Sequence, residues 1–137
     1  MYKNILVPMA LEPGISPHML EVARVLAGDT GTLIALHVYE TPQGTVSAYV
    51  GEDVVNAGFA RAKERMAEKL QGIDNLKPVL VKGHSARTII DYAHDNGVDC
   101  IVMGSHKPGL GDYFLGSTAS RVVRHAACAV HVVRDTA

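Results

Sequence analysis

The sequence predicts a three-layer α/β sandwich, a five-stranded parallel sheet of order 3-2-1-4-5 with four helices on its two faces. Five short runs rich in Val, Ile and Leu are almost free of polar residues, as strands covered on both faces are. Between each run and the next lies a stretch long enough for a crossover helix, which parallel neighbours require. The chain has 137 residues, 47% hydrophobic and 20% charged, values of an ordinary globular domain. Residues 1–137 are therefore expected to form one domain, with no linker, repeat or low-complexity segment.

The elements follow in order. Lys3 to Met9 (KNILVPM) reads as the first strand. Ser16-Pro17 opens the first helix, Ser as N-cap and Pro at the first helical position, where its missing N–H costs nothing. Met19, Val22, Ala23 and Leu26 form one apolar stripe, which Gly28 and Gly31 end. Thr32 to Tyr39 (TLIALHVY) is the second strand, and Glu40 to Gly51, with Pro42, Gly44 and Gly51, is a loop. From about Glu52 a long helix places Val55, Phe59, Ala62, Met66 and Leu70 on one face, with a charged face opposite. Pro78 to Lys82 is the third strand, and Ser85 caps a helix that Asn96-Gly97 closes. Val98 to Met103 is the fourth strand, Ser117 to Ala126 the fourth helix and Ala129 to Val133 the fifth strand. Right-handed crossovers with one reversal of winding put helices on both faces.

Composition excludes several partners. Thirteen basic residues against 14 acidic ones, no long basic run, 5% aromatics and no Trp leave no footprint for nucleic acid. No window approaches the roughly 20 apolar residues of a membrane span, and the first residues lack a signal-peptide pattern. No membrane partner and a cytoplasmic location are expected. Cys100 and Cys128 lack CxxC spacing and lie in or beside apolar runs, so both read as buried reduced thiols. The seven histidines form no HExxH or close ligand pair, so no metal site is expected. His37 and His131 lie in strands and read as structural, and Asp91, His94 and Asp95 as a solvated face. Without paired carboxylates or an activated nucleophile, no case for catalysis emerges, and the chain is expected not to be an enzyme.

Ligands of open α/β sheets bind beyond the carboxyl ends of the strands. The richest such segment runs from Gly104-Ser105-His106-Lys107-Pro108 to Gly116-Ser117-Thr118, leaving a buried strand and ending at a helix start. A first helical turn presents unpaired N–H groups and a positive dipole end, and glycines let backbone amides approach phosphate oxygens. Ser117 and Thr118 would add hydroxyls, and His106 or Lys107 charge. The same residues equally suit a surface loop with turn glycines and an ordinary Ser N-cap. Walker A, the dinucleotide fingerprint (Phe114 stands at the required third glycine) and the Gly-x-Ser-x-Gly elbow are all missing.

At this loop the chain resembles the universal stress protein family, over nearly its whole length. The resemblance rests on Tyr2-Lys3-Asn4-Ile5-Leu6-Val7-Pro8, Leu36-His37-Val38, Val102-Met103-Gly104-Ser105-His106, Gly116-Ser117, and the closing Val122-Val123-Arg124-His125-Ala126-Ala127-Cys128-Ala129-Val130-His131-Val132-Val133-Arg134. It implies a Rossmann-like fold of the adenine nucleotide alpha hydrolase kind. It also implies ATP, or AMP or ADP, as bound ligand, with Mg2+ possible alongside ATP. Adenine would lie near Pro8, Met9 and Val38, ribose beside Met103 and Gly104, and the phosphates at Gly116, Ser117 and Thr118. Nucleotide-holding members carry Gly, two residues, Gly, nine residues, then Gly-Ser/Thr. Here Lys107 stands at the second glycine, and Ala10 where the family usually has Asp. Ser105-His106-Lys107-Pro108 resembles a nucleotide-binding sub-branch in which a basic side chain, here Lys107 with His106 beside it, partners the phosphates. The resemblance further implies a stress-response regulatory role, a homodimer through the C-terminal strand and an unidentified downstream protein. The alternative is a nucleotide-free interaction module, and weak ATPase activity is left open.

Overall fold

The computed structural model describes residues 1–41, 51–105 and 115–134. Among the described residues, nine elements run in the order β1 (Asn4–Pro8), α1 (Pro17–Ala27), β2 (Thr32–Tyr39), α2 (Glu52–Lys69), β3 (Leu76–Lys82), α3 (Ser85–Asp95), β4 (Cys100–Gly104), α4 (Ser117–His125) and β5 (Ala129–Val133). The strands form one parallel sheet of order β3-β2-β1-β4-β5, as expected.

The central strands are apolar because both their faces are covered. Leu6, Leu36, Ile101 and Met103 pack against Ala86, Ile89 and Ala93 of α3 and Ala119 and Val122 of α4. On the opposite face, Ile5, Val7, Cys100 and Val102 meet Ala23 and Ala27 of α1. Ala35 packs with Met66 of α2. Ile5, Leu6, Val7, Ile101 and Val102 are wholly buried, and burial of each such side chain stabilises by about 1.5–3 kcal/mol. Helices meet the sheet through alanines where they approach closely.

Helix ends decide the layout locally. The Ser16 Oγ accepts the Met19 N–H at 3.1 Å, with Pro17 at the first helical position, and Gly28 at φ 65° closes α1. Gly31 then turns the chain into β2 where a Cβ would lie 2.7 Å from the Tyr2 carbonyl oxygen, so no larger residue fits without backbone movement. Ser85 departs from its expected role. The N-cap of α3 is His84, whose side chain makes no capping bond, and Ser85 is the first helical residue. Likewise Gly116, not Ser117, is the N-cap of α4.

Several strand ends shift by one or two residues, where ladders fray. One of these shifts lengthens a strand: β3 starts at Leu76 and passes through Lys77 and Pro78. The strand lies at a sheet edge, the one setting where a strand tolerates proline and a charged residue. At the amino ends of β1 and β4, the two Asp99 carboxylate oxygens each accept a backbone N–H at 2.9 Å, from Lys3 and Asn4. Burial would raise this carboxyl. The backbone donors, with the Lys3 charge, outweigh it and hold the group below the ordinary carboxylate range.

Both cysteines are free thiols, Cys100 buried and Cys128 half-buried rather than fully enclosed. Burial, with smaller contributions from Cys128 and Asp99, pushes the Cys100 thiol up to about 11, and burial also raises Cys128. His131 is exposed on β5 and takes no part in the core. No helix among the described residues is long and apolar enough to cross a membrane.

Candidate functional site

β1 and β4 are neighbours in the sheet although five elements of chain separate them, and at this reversal of winding the connections leave to opposite sides. A crevice therefore opens at the carboxyl ends of the strands. It has a volume of about 710 Å³ and is lined by Pro8, Met9 and Ala10 after β1, Leu36 to Glu40 of β2 and its end, Ser85 and Ile89 of α3, Met103 and Gly104 of β4, and Ser117 and Thr118 of α4. Eight of the residues singled out from the sequence thus share one cavity: Pro8, Met9, Ala10, Val38, Met103, Gly104, Ser117 and Thr118. Gly116 directly precedes two of them. His106 and Lys107 lie outside the described residues.

The floor of the crevice presents an unused backbone pair. Along the β1–β2 ladder the even-numbered residues of β2 face β1: the Thr32 N–H donates to the Lys3 carbonyl at 2.8 Å, and the Leu36 carbonyl accepts the Met9 N–H at 2.8 Å. Val38 is next on that side, but its N–H makes no bond to the Met9 carbonyl, which pairs with a side chain instead. His37 Nδ1 lies 2.8 Å from it, and because a carbonyl only accepts, the proton resides on Nδ1. His37 is structural in this sense, as expected. The Val38 N–H and C=O consequently face the crevice with no backbone partner from β1. A donor and an acceptor on one residue, between the apolar Pro8, Met9 and Met103, match the edge of a flat heteroaromatic base.

The opposite end suits an anion. The Gly116 N–H donates to the Ser105 carbonyl at 2.7 Å, and the Gly116 carbonyl accepts the Ser120 N–H at 2.8 Å, which together fix the start of α4. The N-cap Gly116 has no side chain to cap this helix. The first N–H groups of α4, at Ser117, Thr118 and Ala119, have no acceptor among the described residues. They point where a helix dipole favours negative charge.

Leu36, His37, Tyr39, Glu40, Ser85 and Ile89 also line the crevice but were not singled out as site residues. The signal for Glu40 and Ser85 was available, since both fall just past the carboxyl ends of β2 and β3. The Ser85 Oγ–H donates to Glu40 Oε1 at 2.6 Å, and the Ser85 N–H reaches the same oxygen at 3.3 Å. Glu40 thereby supplies the negative charge at the start of α3 that His84 does not. Among the described residues, no three His, Cys, Asp or Glu side chains gather as a metal site.

Fold and crevice together define a Rossmann-like α/β protein with a cleft at its switch point. The model of the Universal stress protein family matches residues 1–134, and the chain belongs to that family. Universal stress protein A homolog 2 of Coxiella burnetii is 32% identical over 97% of this chain and 95% of its own length. Universal stress protein G of Escherichia coli O157:H7 is 33% identical over 98% of this chain and 100% of its own. Among solved structures, the universal stress protein UspA from Lactobacillus plantarum superposes with a TM-score of 0.72 at 30% identity, covering 97% of this chain and 98% of that one. Two more distant structures share the fold: a universal stress protein in complex with cAMP (TM-score 0.58, 20% identity, 96% and 97% of the two chains) and a family protein from Arabidopsis thaliana with AMP bound (TM-score 0.59, 16% identity, 98% and 93%).

Proposed function

We propose that this chain is a regulatory universal stress protein that binds an adenine nucleotide, ATP foremost, in the switch-point crevice. The observation that carries the reading is a pairing seen among the described residues: the Val38 N–H and C=O without backbone partners at one end, and the first turn of α4 without acceptors for its N–H groups at the other. The first matches the hydrogen-bonding edge of adenine, the second a phosphate chain. Met103 and Gly104 lie between them for the ribose. Two proteins of the same fold hold cAMP and AMP, which supports an adenine nucleotide as the ligand class. Lys107 and His106 are assigned to the phosphates by the sub-branch resemblance, with Mg2+ accompanying the triphosphate.

The protein acts by occupancy and self-association through β5 rather than by chemistry, in the cytoplasm, and hands its state to a downstream protein. Among the described residues, the His37 and Glu40 side chains of the crevice are engaged, by the Met9 carbonyl and by Ser85, rather than poised as bases for hydrolysis. Mass spectrometry of the gently denatured, freshly purified protein is the direct test. ATP, ADP or AMP released in near-stoichiometric amount is expected. No nucleotide, together with no heat of ATP binding in calorimetry, would turn the assignment to an interaction module without ligand. Steady phosphate release from added ATP would make it an enzyme instead.

A further inference from the structure

We propose that Arg121 is a specificity-determining residue that reads the length of the ligand's phosphate chain, in a second cavity beside the crevice. The inference rests on the adenine-nucleotide reading above and assigns the part of the ligand beyond its first phosphate. This cavity, of about 590 Å³ between α3 and α4, shares Ser117, Thr118, Glu40 and Ser85 with the crevice. The two cavities therefore meet at the first turn of α4, with Ser117 and Thr118 facing both.

Its charges are unequally committed. The Arg87 guanidinium faces Asp91 at 3.7 Å one turn along α3, and Glu40 holds Ser85. Arg121 also lines the cavity, yet makes no ion pair among the described residues. It stands four residues after Ser117 and three after Thr118, so all three lie on one face of α4. One helical turn, about 5.4 Å, separates the Arg121 backbone from the helix start, and its long side chain extends from there into the cavity. A monophosphate held at Ser117 and Thr118 ends short of Arg121. The terminal phosphate of a triphosphate reaches that level, where the planar guanidinium donates two N–H groups to one phosphate.

Calorimetry with AMP, ADP, ATP and inorganic tripolyphosphate tests this on the full chain, on Arg121→Gln and on Arg124→Gln. Arg124 is exposed on the same helix and does not line the cavity, so its variant measures the effect of net charge alone. Arg121→Gln is expected to weaken ATP about tenfold, leave AMP unchanged and exceed any loss in Arg124→Gln. Equal losses for AMP and ATP, equal losses in the two variants, or no loss at all would each overturn the assignment while leaving the crevice a nucleotide site. If no adenine nucleotide binds, the broader reading has failed, and tripolyphosphate decides this one. Binding that Arg121→Gln weakens upholds the cavity as a polyphosphate site, whereas binding that is absent or insensitive to the variant removes it.

Discussion

Gly116 holds φ −58° and ψ 155°, a conformation open to any residue. Its lack of a side chain is therefore not a demand of the backbone, and it fits a position where a ligand approaches closely. Gly116→Val is expected to cost about 1 kcal/mol as a weaker N-cap and to leave the circular dichroism spectrum unchanged, while ATP binding is lost in calorimetry. Undiminished binding would show that phosphate does not approach here. Ala10 poses the converse case, an exposed residue at the crevice mouth where the family resemblance leads one to expect an Asp. Ala10→Asp would restore an acceptor for the ribose hydroxyls. A hydrogen bond to a charged group is worth about 1.5–3 kcal/mol, and exposure puts this one at the low end. Adenosine should tighten about tenfold. ATP should gain less, because the new negative charge opposes the phosphates. Competition titrations give the ratio, and an equal gain for both ligands would mean that the carboxylate does not select the sugar.

The elements were the most legible level, because a buried parallel strand leaves an unbroken apolar run and a crossover helix a single stripe. Thr32–Tyr39 and Ala129–Val133 follow from such runs alone. Leu76 and Lys77 did not, since at an edge the ladder continues through residues whose side chains are not buried in alternation. The site was half legible. Its strand-end and α4 residues are adjacent in pattern, whereas Glu40 and Ser85 meet across 45 residues of chain, a contact that spacing does not encode. Local propensity even pointed away from it, as a serine before a helix looks like a cap. The Asp99 bridge between the amino ends of β1 and β4 is a contact of the same kind. Its folded carboxyl lies below the ordinary range, so its stabilisation is present above the unfolded value, roughly 3.9, and is lost as pH falls through the lower folded value. Melting temperatures of Asp99→Asn should accordingly lie below wild type at neutral pH and converge with it in acid. A constant gap down to acid would rule out the charged form as the source.

The whole sheet has two free edges of unequal character, and this asymmetry argues for one mode of assembly. On β3 the odd residues face β2, as the Gly83 N–H to Tyr39 carbonyl bond of 3.1 Å shows. Pro78 therefore turns its missing donor outward and blunts that edge. On β5 the odd residues face β4, the Val133 carbonyl accepting the Ser105 N–H at 3.0 Å. Val130 and Val132 consequently direct their N–H and C=O groups to the open side, where no proline interrupts them. A second copy related by a two-fold axis can pair antiparallel along β5, joining two five-stranded sheets into one of ten and covering the valines of both. Val132→Pro is the sharp test, since it removes an outward N–H and leaves every bond to β4 in place. Light scattering should report a dimer for wild type and a monomer for the variant, with circular dichroism and nucleotide affinity retained. A wild-type monomer at micromolar concentration, or a dimer that survives the proline, would place any self-association elsewhere on the molecule.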